Sequence, residues 1–162
     1  MTTLPVSDRF FAVGITDLLW VPAIAATTGI PTRPELTAGT KLQDEVVDAT
    51  GWNVEPNSFN VDTLGTRVSP SMTGRLRMSA ASITFAASLD GEDIRTVLED
   101  GDQGFIVWAD GGDVTGYAAE AFPVTVANVS PVRTIAEQEH RIVVSFSITN
   151  VPVKFPLPAT TP

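Results

Sequence analysis

The hydrophobic positions of this chain recur mostly at every second residue, the spacing of a strand with one buried face. The clearest case runs from Ile142 to Thr149. Ile142, Val144, Phe146 and Ile148 fall on one face, and Val143, Ser145, Ser147 and Thr149 on the other. Ala81, Ile83, Phe85, Ala87 and Leu89 form a second stripe, and Phe122, Val124 and Val126 a third. Phe105-Ile106-Val107-Trp108 is apolar on both faces and predicts a central strand, while Leu18–Val21 and Gly51–Glu55 are further strand candidates. One-sided burial on most strands predicts antiparallel sheets packed face to face, or one sheet closed on itself.

Helical spacing is rarer. Ile94, Val97 and Leu98 make an i, i+3, i+4 stripe that predicts one helix over about residues 91–100, lying on a sheet. Asp90 would cap it, Glu92 and Asp93 suit its positive end, Gly101 would stop it, and Arg95 and Glu99 would pair on its wet side. Thr32-Arg33-Pro34-Glu35 has capping-box spacing and predicts a shorter helix stopped by Gly39.

Three stretches follow neither period. Residues 1–14 read as an N-terminal arm. Residues 56–77 are rich in Asn, Ser and Gly and far exceed an ordinary connection of about 4–6 residues, so they read as a long loop. Residues 151–162 carry Pro152, Pro156, Pro158 and Pro162 and read as an extended Pro-rich arm. Ordering arms and long loops costs conformational entropy, which is usually offset by contact with another chain. The expectation is one mainly β domain over residues 1–162, an antiparallel β-sandwich or barrel flanked by one helix, with a long loop and two arms.

Composition narrows the chemistry. The 162 residues suit a single domain. With no Cys and one His, disulfides, thiolate nucleophiles, iron–sulfur clusters and Cys/His zinc sites are excluded. Nineteen acids against ten bases give a net charge of −9, a poor balance for wrapping nucleic acid, because phosphates are neutralised by Lys and Arg. The longest uncharged run, Leu18–Thr32, is 15 residues and holds Pro22 and Gly29, short of the roughly 20 apolar residues of a spanning helix. The start has no basic region followed by an apolar core, so no signal peptide is expected.

The charge is unevenly placed. Residues 63–89 hold Arg67, Arg75 and Arg77 and no acid, whereas residues 90–113 hold eight acids and only Arg95. Two readings stand: a solvated acidic face beside an Arg-bearing loop, or two complementary surfaces for self-association.

Catalytic signals are poor. His140 sits at a strand start, and no Gly-x-Ser-x-Gly elbow is present. The carboxylate pairs Asp44-Glu45 and Glu92-Asp93 are sequence neighbours that point in different directions, and nothing marks a buried, raised carboxyl. Counting an EF-hand from Asp100 puts Phe105 where Gly is required. Asp110-Gly111-Gly112-Asp113 reads as a turn between strands. Arg67, Arg75 and Arg77 lack the interleaved aromatics of a base-stacking platform. Trp20, Trp52 and Trp108 read as core or interface anchors. No enzyme, metal or cofactor is expected.

The order of these elements carries a resemblance. Leu18–Ile24, Pro31–Gly39 and Ala49–Trp52, followed by Ala81–Phe85, Asp90–Leu98, Gly104–Val107, Asp110–Asp113 and Phe122–Val126, resemble the tail tube proteins of long, non-contractile-tailed phages, especially those of actinobacteria. The similarity runs from about Asp17 to Val153. It implies a β-sandwich flanked by a helix, hexameric rings stacked into a hollow tube, and a role as conduit for double-stranded DNA during ejection, with no catalytic residue and no cofactor. It implies a virion location after synthesis in the host cytoplasm. The implied partners are further copies of the chain, a tape-measure protein, a tail terminator, tail-tip proteins and passing DNA.

Under the resemblance, Pro56, Phe59, Leu64, Arg67, Arg75 and Arg77 are candidate contacts between subunits or rings. Asp100, Asp102, Asp110 and Asp113 are candidate acids of the lumen, since like charges repel within a Debye length of about 8–10 Å. Alternatives are a tail terminator or head–tail connector of the same fold, or a monomeric β-sandwich binding module.

Overall fold

The computed structural model describes residues 11–65 and 67–160. The strands are β1 (Asp17–Val21), β2 (Thr40–Lys41), β3 (Val46–Thr50), β4 (Val54–Asn60), β5 (Ser71–Met78), β6 (Ala81–Ala86), β7 (Gln103–Ala109), β8 (Ala118–Val132), β9 (Arg141–Ile148) and β10 (Val153–Pro156). Two short helices, α1 (Arg33–Ala38) and α2 (Ile94–Val97), interrupt them. The large sheet is antiparallel, in the order β2-β1-β7-β8-β9-β6-β3, with β10 also paired to β8. β4 and β5 form a separate two-stranded sheet.

The expected mainly β, antiparallel architecture is what forms. Its organiser is β8. Residues 120–125 of β8 pair with β7, and residues 124–132 pair with β9, with a register shift between Val126 and Asn128. Such a bulge bends a strand, so the two halves of the sheet face each other. Leu18, Trp20, Ile106 and Phe122 from one half meet Ile83, Phe85, Val144 and Phe146 from the other in one core. The period-2 stripes read from the sequence are the inward faces: Ile142, Val144 and Phe146 alternate with half-buried neighbours, as do Ala81, Ile83 and Phe85.

β1 and β7 are apolar on both faces because the outer face of their half is covered too. Leu19, Val21, Val107, Ala109, Ala119 and Ala121 pack beneath Leu36 of α1 and beneath Phe155 and Leu157. α1 forms as its capping box predicts: the Glu35 carboxylate accepts from the Thr32 amide at 2.7 Å and from the Thr32 hydroxyl at 2.8 Å, and Gly39 caps the other end.

Several expectations are corrected. The helix placed over residues 91–100 is a single turn, and its cap is Asp93, not Asp90. The Asp93 carboxylate accepts from the backbone amides of Ser88 and Arg95 and is clasped by the Arg95 guanidinium, so Arg95 does not pair with Glu99. The turn stops because residues 101–102 are already committed to β8. The Gly101 amide donates to the Val126 carbonyl, and the Val126 amide donates to the Asp102 carbonyl. Leu98 leaves the helix extended and buried. The second stripe ends at Ala86, leaving Leu89 fully exposed, and the Gly51–Glu55 candidate begins its strand only at Val54.

The long loop over 56–77 is mostly strand. Val54–Asn60 pairs with Ser71–Met78, with a bulge between Pro56 and Ser58, and only residues 61–70 form the tip. The Pro-rich segment after Val151 is not a free arm: Val153–Pro156 pairs with Ala118–Ala121, and Phe155 and Leu157 are buried. Proline is tolerated there because β10 has a partner on one side only. Of the N-terminal arm expected over 1–14, residues 1–10 lie outside the described residues. Ala12–Thr16 make a tight turn into β1.

Gly51 makes the corner between β3 and the hairpin at φ +80°, and a Cβ there would collide with the Ala80 carbonyl oxygen. Both the conformation and the collision oppose any other residue. Gly51→Ala is expected to cost at least about 2 kcal/mol, read as a lowered urea midpoint, and an unchanged midpoint would show that the corner can relax.

Candidate assembly surfaces

The β4–β5 hairpin is built unlike the rest of the chain. Among the described residues its strands pair with each other and with no third strand. Polar residues on both faces give it no inward side, yet large apolar side chains remain in the open: Phe59 is 50% exposed, Met72 53%, Leu76 50% and Leu64, at the tip, fully. The register places Phe59 opposite Met72 and Pro56 opposite Leu76, so apolar pairs lie on both faces. Arg75 and Arg77 lie on β5, and Arg67 lies in the tip. Among the described residues none of the three makes an ion pair. The six residues expected to contact neighbours are thus brought together on one projecting element.

The four candidate lumen acids are not brought together. Asp100 and Asp102 precede β7, whereas Asp110 and Asp113 follow it, a strand of seven residues or about 23 Å away. Asp100 accepts from the Val129 amide at 2.7 Å and Asp102 from the Glu99 amide at 2.9 Å, which fixes the turn onto β8. Asp110 is exposed. Asp113 has a different employment: it binds Arg33 of α1 through two bonds of 2.5 and 2.6 Å. The guanidinium holds the Asp113 carboxyl below the usual carboxylate range. Its amide donates to Asp17 at 2.9 Å, so the β7–β8 connection is clamped to both α1 and β1.

The remaining chemistry is structural. Asp93, hydrogen-bonded to Arg95 and to two backbone amides, is lowered from 3.8 to about 2. A carboxyl lowered in the folded state contributes stability above its unfolded pKa, and that contribution is lost as pH falls toward the folded value. Between about pH 4 and pH 2 the native chain is therefore expected to lose more melting temperature than Asp93→Asn, and parallel acid limbs would refute the linkage. Trp52 packs at 5.2 Å on Phe122, 5.5 Å on Phe146 and 5.8 Å on Trp108, and its Nε1 donates to the Ser82 carbonyl. It is a core anchor, as expected. His140 is exposed at the start of β9. Among the described residues no group of three His, Cys, Asp or Glu is placed to hold a metal ion, and no helix is long and apolar enough to cross a membrane.

One surface escaped the sequence reading. An open trough of about 680 Å³ runs beside β3, with Leu18, Ala49 and Trp108 in its covered lining and Asp17, Asp44, Asp48 and Asp110 around it. These residues come from β1, β3, β7 and the turns that follow β2 and β7, so no local spacing announces it. The one available signal was the run of acids Asp44, Glu45 and Asp48, leading into a strand with only Val46 and Ala49 turned inward.

A chain in the cryo-EM structure of the anti-feeding prophage baseplate, six-fold symmetrised, is similar in structure, with 10% sequence identity and a TM-score of 0.49 over 97% of this chain and 99% of that one. No curated protein matches. The family model described as phage tail tube protein matches residues 4–159. That span is nearly the whole sequence, and the chain belongs to the phage tail tube protein family.

Proposed function

We propose that this chain is the structural subunit of a phage tail tube, assembling into hexameric rings that stack into a conduit for double-stranded DNA. The observation that carries this reading is the β4–β5 hairpin. A lone two-stranded hairpin is marginally stable in water, and exposed apolar side chains on both of its faces mark an interaction site. A second copy of the chain supplies what the hairpin lacks. Among the described residues the outer edge of β3 has no partner strand; it calls for covering in the same way, and joining it to a neighbouring sheet would continue the sheet around a ring. No step of this function needs a catalytic group or cofactor. The long non-contractile tail of an actinobacterial phage is the setting the sequence resemblance favours, with tape-measure, terminator and tail-tip proteins as further partners.

Asp100 and Asp102, outside the clamp that engages Asp113, remain the acids proposed to face the lumen and keep phosphates at a distance. Replacing both with Asn, which removes the charge but keeps an acceptor oxygen for the Val129 and Glu99 amides, is expected to slow DNA ejection from assembled tails, and unchanged ejection would remove them from that role.

The test of the assembly reading is negative-stain microscopy of the concentrated protein. Tubes support a tail tube subunit. Single rings that never stack favour a terminator or connector of the same fold. A monomer at every concentration overturns the reading and leaves a binding module.

A further inference from the structure

We infer that the acidic trough beside β3 is the seat of the β4–β5 hairpin of a second copy of this chain. The inference rests on the self-assembly reading above and adds to it the surface that receives the hairpin.

Charge is the first argument. Asp44, Asp48 and Asp110 stand exposed on the trough with no side-chain partner among the described residues. Asp17 is half-buried beside them, and among the described residues no Lys or Arg lines the trough. The hairpin carries a net opposite charge: Arg67, Arg75 and Arg77 against Glu55, which stands opposite Arg77 in the register, and Asp62. Complementary charge of this kind fixes register and partner. Within one subunit the two sets do not meet, since none of the three Arg is ion-paired there among the described residues.

Shape and polarity agree. The covered lining of Leu18, Ala49 and Trp108 is apolar, and the hairpin offers Leu64, wholly exposed at its tip, with Phe59 and Met72 behind it. The competing occupant is the N-terminal segment of the same chain, because Ala12 and Gly14 line one end of the trough. Residues 1–10 carry Asp8 and Arg9, which cancel, so that segment does not answer the charge of the trough.

The absence of Cys makes disulfide trapping a background-free test. Leu64→Cys and Ala49→Cys are purified separately and mixed, at the concentration where assemblies form, under mild oxidant. The mixture is expected to give linked dimers at least about tenfold above either variant alone, because a seated hairpin holds the thiols at a high local concentration. Leu64→Cys mixed with Ile135→Cys, an exposed position in the β8–β9 connection, is expected to stay at background. In parallel, replacing Arg67, Arg75 and Arg77 with Glu is expected to raise the assembly threshold about ten- to a hundredfold. Adding Asp44→Arg, Asp48→Arg and Asp110→Arg to that variant is expected to restore it. Tubes or rings without the Leu64–Ala49 link place the hairpin elsewhere and overturn the inference while the assembly reading survives. A link within a single chain between Val6→Cys and Ala49→Cys, with none between copies, makes the N-terminus the occupant and also overturns it. Absence of any assembly by the unsubstituted chain defeats both.

Discussion

Replacing residues 55–77 with a short Gly-Ser link is expected to abolish assembly while leaving the melting temperature of the monomer nearly unchanged. Among the described residues none of that span belongs to either buried core, and the strands it contains pair only with each other. Their contribution to the lone domain is that of an isolated hairpin, close to zero. The contribution to a contact with another subunit is of a different size. Covering Leu64, fully exposed, would supply about 1.5–3 kcal/mol, and covering Phe59 and Met72, half exposed, about half as much each. Three such losses exceed what a weak, repeated contact can spare. Differential scanning calorimetry and microscopy of the same preparation separate the outcomes. A deletion that unfolds the monomer would show that the hairpin stabilises its own domain, and a deletion that still forms tubes would show that it does not join subunits. Leu64→Ala alone is expected to weaken assembly in the same direction without moving the melting temperature.

How much of this was legible in the sequence depended on whether a residue's burial is decided locally. Ile142, Val144 and Phe146, or Ala81, Ile83 and Phe85, sit on strands with one face inward, and period-2 spacing reports that directly. Phe105–Trp108 is buried on both faces because a second layer covers it, and an unbroken apolar run reports that too. The hairpin over 54–78 carries no such signal. It has no inward face in the single chain, so its residues read as loop although they bond as strands. The helix over 91–100 failed for another reason. Its apolar stripe is real, since Ile94 and Leu98 are buried, but a β-bridge from Asp102 to Val126 claims the residues a second turn would need. Of the candidate site, the Arg-bearing element was readable because charge is counted along the chain. The trough was not, because Asp17, Asp48 and Asp110 meet only after β1, β3 and β7 have been placed side by side.

The second large effect is expected from removing Val153–Pro162, and it separates the two ways of reading a Pro-rich terminus. As a free arm the segment would contribute nothing to the monomer, and its loss would matter only to assembly. As β10 it carries Phe155 and Leu157, each 3% exposed, onto the outer face of β1, β7 and β8, and the Leu157 amide donates to the Tyr117 carbonyl at 2.8 Å. Two side chains at about 1.5–3 kcal/mol each amount to a large share of a domain stability of about 5–15 kcal/mol. At about 2–4 °C per kcal/mol for a chain of this size, the truncated protein is expected to melt roughly 6–24 °C lower. Ending the chain after Leu157 is the control: it keeps both anchors, and its melting temperature is expected to stay within about 2 °C of the full chain. Phe155→Ala isolates one anchor and is expected to cost about 3–5 kcal/mol. Equal melting temperatures for all of these variants would restore the arm. A loss confined to variants that remove Phe155 or Leu157 would mean that this terminus can reach a neighbouring subunit only by first leaving β8. The hairpin, which leaves nothing behind when it docks, would then be the element free to join copies at least cost.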